Sequence, residues 1–338
     1  MTSETKTGST VTSPLLITVL MPVYNGERFI RQAIESILNQ SYQHFEFVIV
    51  NDGSTDGTAA ILDEYAARDP RVRPIHQGNM DQPAALNQGI KAARHDWIAI
   101  IDHDDISLPR RLEREVGEVL ANPTVRAIGT WAHEVDERGR IMGDITIGPT
   151  SVDEFRHLRS TNEWVTFVHA SVMFHRETVL ALGGYRPPFG SAADSDLWSR
   201  IADEHDLLTI PEVLVHYRVH LNSMSYTRFF EQTEVVRWIR ACTDARRAGR
   251  PEPTLAEIRA TAGGRLRLGQ LKVMRQDLLS MLLRRRRIAR WEDRSGYAAA
   301  MFILASLLDP VRSSRRIYER LSGKRPAPRN TSHPSNAT

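Results

Sequence analysis

Four short apolar runs, joined by segments with helical spacing, constrain this chain more than any other feature. LLITVLM, FEFVIV, the weaker VRPIH and WIAII have the length of strands and are apolar nearly throughout, as strands covered on both faces are. LLITVLM stops at Pro22, and after it Phe29, Ile30, Ala33, Ile34, Ile37 and Leu38 recur at helical spacing. FEFVIV, Phe45 to Val50, ends in NDGSTDGT, a turn and helix-opening cluster followed by Ile61, Leu62 and Tyr65, and Pro83 to Ala93 reads as a third helix. The order is βαβαβαβ. It predicts an α/β fold with a Rossmann-like, mostly parallel sheet flanked by helices, in which ligands bind beyond the carboxyl ends of the strands.

That rule gathers three loops at one edge: PVYNG after the first strand, NDGSTDG after the second and DHDD after the fourth. The acids Asp102, Asp104 and Asp105 repel one another, so the last loop must be solvated or hold something positive. Two readings stand side by side. One is a bound cation; the other is an acidic loop that opens the next helix, since Asp105, Ser107 and Pro109 are ordinary helix-entry residues. Tyr24 offers a flat face for stacking, Asp52 an acceptor for a base or sugar, and the DHDD carboxylates are hard oxygen ligands suited to Mg²⁺ or Mn²⁺. A nucleoside diphosphate on a divalent ion fits all three loops, although PVYNG and NDGSTDG also serve as plain strand-to-helix turns. The G-x-G-x-x-G fingerprint is missing after both early strands, which argues against a dehydrogenase.

Composition limits the classes further. With 338 residues, 41% of them hydrophobic, the chain can bury one large core or two. Cys242 is the single cysteine, so neither a disulfide framework nor a cysteine metal site forms within one chain, which suits a reducing, cytoplasmic setting. Residues 1–14, polar and rich in Thr and Ser, read as a disordered leader rather than a signal peptide. The longest apolar run, Ala298 to Leu308, falls short of the roughly 18 to 20 residues of a spanning helix and predicts a buried or interfacial one. The net charge is +3, but arginines crowd the tail, as in LLRRRRIARW, which points to an anionic partner. A basic helical cap with solvated arginines accounts for the tail equally. No nucleic-acid-binding motif is present, and a nucleic-acid partner is not expected.

Several longer stretches occur in a telling order: ITVLMPVYNGERFIRQAIESILNQSYQHFEFVIVNDGSTDGT, AALNQGIKAARHDWIAIIDHDDISLPRRLE, HASVMFHRE, GGYRPPFGSAADSDLWSRIA and IPEVLVHYRVHLNSMS. From about Leu16 to Ser225 the chain resembles a family 2 glycosyltransferase of the GT-A fold, an inverting enzyme that uses a divalent metal. The resemblance implies a GT-A domain over residues 15–225; beyond it the residues themselves read as a basic helical C-terminal region at 226–320 and a disordered tail at 321–338. It implies that Pro22, Val23 and Tyr24 with Asp52 hold the nucleobase and that Asp104 lies near the ribose. Asp105, with Asp104 and the late histidine His220, would hold Mn²⁺ or Mg²⁺, while Asp102 supports the loop. Asp194 would be the catalytic base. The family usually reads Glu-Asp there, and this chain has Ala193 in place of the glutamate. The helix expected after Asp194 would favour its carboxylate form through the helix dipole.

The implied function is transfer of a sugar, from a UDP-sugar by preference, to a hydroxyl of a cell-surface glycan or lipid-linked acceptor, with an anionic membrane surface as a further partner. Two other classes remain open. A sugar-phosphate nucleotidyltransferase would carry a glycine-rich phosphate loop with a basic residue, which PVYNGERF lacks; a nucleotide-sugar-binding protein without catalysis is suggested by Ala193.

Overall fold

The computed structural model describes residues 13–220, 228–263, 278, 281, 282 and 295–308. Residues 1–12 of the expected leader, the tail and the Arg284 to Arg287 cluster lie outside them. The first four strands and three helices follow the sequence order: β1 (Ile17–Val23), α1 (Ile30–Leu38), β2 (Phe45–Asp52), α2 (Thr58–Arg68), β3 (Val72–Gln77), α3 (Gln82–Ala92) and β4 (Trp97–Ile100). β1 runs through Pro22 rather than stopping there. Its partner on that side is β2, where Pro22 faces Val50, whereas pairing with β4 has already ended at Leu20 and Ile100. A proline without an N–H is tolerated where one flank of the strand is free of the ladder.

The chain continues through β5 (Ile106–Ser107), α4 (Arg111–Ala121), β6 (Val125–Val135), β7 (Ile141–Ile145), α5 (Val152–Ser160), β8 (Met173–His175), α6 (Arg176–Ala181), α7 (Ala193–Glu204) and β9 (Asp206–Arg218). Helices α8 (Phe229–Arg247), α9 (Leu255–Gly263) and α10 (Ser295–Leu308) follow. The sheet order is β3-β2-β1-β4-β8-β6-β9-β5, with β7 paired to β6. Strands β3, β2, β1 and β4 are mutually parallel, β8 is antiparallel to both β4 and β6, and β6 is parallel to β9. The fold is thus α/β with a mixed, mostly parallel sheet flanked by helices.

Each strand of the parallel half feeds two cores. Ile17, Val19 and Met21 of β1 join Ile30, Ala33, Ile34 and Ile37 of α1 on one face, while Leu20 joins Ala85, Leu86 and Ile90 of α3 on the other. Burial on both faces explains why these strands read as unbroken apolar runs. Glu46 is the exception within β2. It stays buried because Thr18 Oγ1 (2.8 Å), the Arg94 N–H (2.6 Å) and the Arg73 guanidinium all donate to its carboxylate. Burial opposes its ionisation, yet these donors hold it below the usual carboxylate range.

The compact unit that contains the sheet extends through α8 to Thr261, and a second unit begins at Ala262. In the second unit Leu282 is buried against Leu278, Met281 and Met301, the last on α10. Among the described residues no helix is long and apolar enough to cross a membrane.

Gly89 reports the tightness of the α3–β1 contact. A Cβ there would stand 2.1 Å from Leu20 Cδ1 and 3.1 Å from Leu20 Cγ, inside a fully buried layer. Gly89→Ala should gain about 1 kcal/mol of helix propensity but lose about 1 to 3 kcal/mol to overpacking. We expect a net loss, read as a lower urea midpoint with an unchanged slope; a raised midpoint would show that Leu20 yields freely.

Candidate active site

Parallel pairing puts the ends of β1, β2 and β4 at one edge. Val23 faces Asn51, Asp52 faces Gln77, and the DHDD loop leaves β4 beside Leu20. The first two loops are stitched together: the Asn25 N–H donates to Ser54 Oγ (2.9 Å), the Gly26 N–H to Thr58 Oγ1 (2.9 Å), the Thr55 N–H to Asn25 Oδ1 (2.8 Å) and the Gly57 N–H to Glu27 Oε2 (3.0 Å). Gly26 admits the third loop, because a Cβ there would lie 2.7 Å from His103. Pro22 and Val23 are buried in the strand end, and Tyr24 stands 48% exposed at the rim, free for stacking.

Asp52 is buried and already employed. Its Oδ1 accepts from Gln77 Nε2 (2.7 Å) and the Met80 N–H (3.0 Å), and its Oδ2 from the Asp81 N–H (3.1 Å). The carboxylate therefore shapes the loop before α3, whose Asp81 holds a φ of 134° that side-chain-bearing residues rarely adopt. A carboxylate offers about four acceptor sites, so capacity for one more donor remains.

The three acids of DHDD have different partners. Asp102 Oδ2 accepts from His169 Nδ1 (3.3 Å), and Asp104 Oδ2 from His220 Nε2 (3.3 Å). Although burial opposes ionisation of Asp104, the His220 hydrogen bond and the charges of His103 and His220 hold its carboxyl below the ordinary range. His220 is no surface histidine; its ring lies 5.8 Å from that of Phe29 and its side chain is largely buried. Asp105 corrects the expectation of a solvent-facing acid in this loop. It is 1% exposed, its Oδ1 accepts from the Arg218 N–H (2.7 Å), and its Oδ2 has no partner among the described residues. Burial, then the charges of Asp104 and Asp102, push it well above the usual carboxylate range against the pull of Arg218. An uncompensated oxygen in such a place fits a cation. Among the described residues, no three His, Cys, Asp or Glu side chains already stand close enough to enclose one.

Asp194 lies within the first turn of α7 rather than ahead of it, and no side chain caps that helix. Burial and the charge of Asp102 raise its carboxyl above the usual range, while His169 and the Ser195 N–H oppose the rise. The helix start does favour the carboxylate, as expected, but burial outweighs it. Ala193 is packed among apolar residues of the α3 side of the core.

Sequence reasoning missed four residues that organise this edge. His169 sits between Asp102 and Tyr185, with its Nε2 3.2 Å from Tyr185 Oη, and the pull of Asp102 outweighs burial to raise its pKa. Tyr185 is fixed by Asn87 Nδ2 donating to its carbonyl (2.7 Å) and by its own N–H donating to Asn87 Oδ1 (2.9 Å). Arg218 donates from Nε to the Asp104 carbonyl (2.7 Å) and from Nη1 to the Glu137 carbonyl (2.8 Å). Arg111 lies fully buried behind the acid loop. HASVMFHRE, GGYRPP and HYRVH carry three of them, yet only their contacts across the fold reveal a role.

The chain has clear likenesses. The family model described as Glycosyl transferase family 2 matches residues 18–182. An uncharacterized glycosyltransferase of Methanocaldococcus jannaschii is 32% identical over 208 residues, which are 60% of this chain and 71% of that protein. The O-antigen biosynthesis glycosyltransferase WbnJ of Escherichia coli is 31% identical over 214 residues, 62% of this chain and 81% of that protein. Among solved structures, S. aureus TarS 1-349 in complex with UDP-GlcNAc superposes with a TM-score of 0.53 at 15% identity, covering 92% of this chain and 93% of that one, a likeness of fold.

The state of Asp105 is testable without substrate. Its folded carboxyl titrates well above the unfolded one, so between those two pH values the folded state binds the extra proton and loses stability as pH rises. In chelator at pH 7, Asp105→Asn should be no less stable than wild type, and wild type should catch up as the pH falls toward about 4. Urea titrations of both proteins at several pH values measure this. A large loss of stability at pH 7 would contradict an under-compensated carboxylate.

Proposed function

The chain belongs to glycosyltransferase family 2, and on that premise we propose that it moves a sugar from a UDP-sugar to a hydroxyl of a glycan or lipid-linked acceptor, inverting the anomeric carbon. The observation that carries the reading is the convergence of Tyr24, Asp52 and the DHDD acids at one sheet edge, with Asp194 linked electrostatically to Asp102 through His169. The UDP-GlcNAc held by S. aureus TarS makes that donor the first to try.

In this reading Tyr24 stacks on the nucleobase, and the strand end at Pro22 and Val23, together with Asp52, shapes its pocket. Asp104 and Asp105, with His220 beside them, would hold Mn²⁺ or Mg²⁺, hard cations suited to carboxylate oxygens. The bound ion supplies neutralisation of the charge that gathers on the departing diphosphate. Asp194 takes the proton of the acceptor hydroxyl as the hydroxyl attacks from the face opposite the leaving group. A raised pKa makes its carboxylate a stronger base, and the His169 charge favours the ionised form against burial. Tyr185 and Asp102 hold the His169 ring in place. With Asp194 and Asp105 both retained, Ala193 is no sign of lost catalysis; it replaces an acid by an apolar core contact.

Purified full-length protein should hydrolyse one or more nucleotide sugars slowly, with Mn²⁺ and not in excess chelator. Asp194→Asn should lower turnover by about 10² to 10⁴ with little change in donor affinity. Full activity in chelator would remove the metal from this reading. Collapse of donor binding with turnover intact would move Asp194 into the donor pocket.

The same reading places the enzyme at the cytoplasmic face of a membrane, where lipid-linked acceptors are found. Its support is α10, apolar and carrying Ile303 (60% exposed) and Leu304 (45%), with Arg284, Arg285, Arg286 and Arg287 preceding it in sequence. Each basic residue near an anionic leaflet contributes about 1 kcal/mol, screened by salt. Cosedimentation with anionic vesicles should exceed that with neutral ones, weaken as salt rises, and drop when the four arginines become glutamine. Indifference to those changes would leave this region as a helical cap.

A further inference from the structure

Arg111 opens α4, and its side chain is fully buried. Its Nη2 donates to the Ile100 carbonyl (2.7 Å), its Nη1 to Ser107 Oγ (3.0 Å) and its Nε to Glu115 Oε1 (2.9 Å). Ile100 is the last residue of β4 and Ser107 the last of β5. Between them lie residues 101–106, which carry Asp102, Asp104 and Asp105. One guanidinium therefore joins both ends of the acid loop from beneath.

As a stabilising ion pair this arrangement is poor. Burying two charges costs several kcal/mol each unless hydrogen bonds satisfy both partners, and Glu115 Oε2 has none among the described residues. Burial pushes the Glu115 carboxyl up to about 7. A pair of apolar side chains would fill the space at no greater cost, but would leave the loop ends untied. The Arg111 charge is also felt at His169, on the substrate side of the loop.

We propose that Arg111 is a positioning residue: its two bonds to Ile100 and Ser107 hold the acid loop at the separation that presents Asp104 and Asp105 to a divalent ion. The proposal rests on the reading of those acids as metal ligands, and its test keeps the two apart.

The full chain is compared with the double variant Arg111→Met/Glu115→Leu, which removes both buried charges, and with Glu115→Gln, which leaves the loop bonds in place. Hydrogen exchange of peptides covering residues 101–107, in metal-free buffer, reads the loop directly; Mn²⁺ titration reads its consequence. The double variant should melt near wild type and keep wild-type exchange in β1 and β2. Exchange in its acid loop should rise about tenfold or more. Its Mn²⁺ affinity should fall about 10- to 100-fold, the usual cost of losing an outer-shell support. Glu115→Gln should match wild type in both readings. Wild-type exchange at residues 101–107 in a folded double variant overturns the proposal, and so does faster exchange with undiminished Mn²⁺ affinity. If wild type itself binds no Mn²⁺, the metal reading falls and the exchange comparison alone decides whether Arg111 ties the loop. Should the double variant fail to fold, Ser107→Ala decides instead; it keeps the buried pair, removes the Nη1 bond, and should shift both readings in the same direction by less.

Discussion

The pairing of β1 with β2 on one side and β4 on the other is the constraint from which the site follows. Parallel strands in this register end together, so Tyr24, Asp52 and Asp102 leave the sheet at one edge although they are far apart in sequence. The register is held by burial on both faces: a slip of one residue would exchange the set Ile17, Val19 and Met21 with Thr18 and Leu20 between two different cores. Nothing at the edge has to create its own geometry. The loops need only be fastened to one another, and Asn25, Glu27 and Thr58 do that with short side chains and backbone N–H groups.

What the edge then holds is negative charge in a poorly solvated place. Each acid is treated differently, and the differences bear on chemistry. Asp104 is kept ionised by His220, Asp102 is bound to His169, and Asp105 is left with one oxygen uncompensated. Arg218 secures the loop from the side by its backbone and side chain, and Arg111 from below. A flexible acidic loop would relax away from such repulsion; a loop tied at both ends keeps its charge concentrated at one edge of the sheet.

Helix α7 is secured by its own ionic network. Fully buried Asp196 accepts from Arg186 Nε (2.9 Å) and Arg200 Nε (3.0 Å), Glu252 accepts from Arg186 Nη1 (2.8 Å) and Arg246 Nη1 (2.6 Å), and Asp203 accepts from Arg247 Nε (2.8 Å). These bonds tie α7 to α8 and to the segment after it. Helix α8 therefore backs the helix that carries Asp194, so part of the arginine excess downstream of the sheet is spent on internal pairing rather than on solvent.

The sequence by itself determined the parallel half of the fold and the edge at which its three loops gather. Strands buried on two faces are continuous apolar runs, helices between them keep a period near 3.6, and both signals are local. It also singled out DHDD as chemically unusual, because acids at a strand end are visible in the sequence, whereas Asp194 stood out only through the family resemblance. The mixed half of the sheet was not legible. β5 and β8 are two and three residues long, and the partners that define them are distant in sequence. The same holds for the supports of the site: His169 meets Asp102 across 67 positions, and Arg218 meets the Asp104 carbonyl across 114. Nor could sequence tell that Asp105 is buried or that Asp52 already binds the loop before α3. Ionisation depends on what surrounds a carboxyl in space, and only the tertiary structure decides which charges and donors those are.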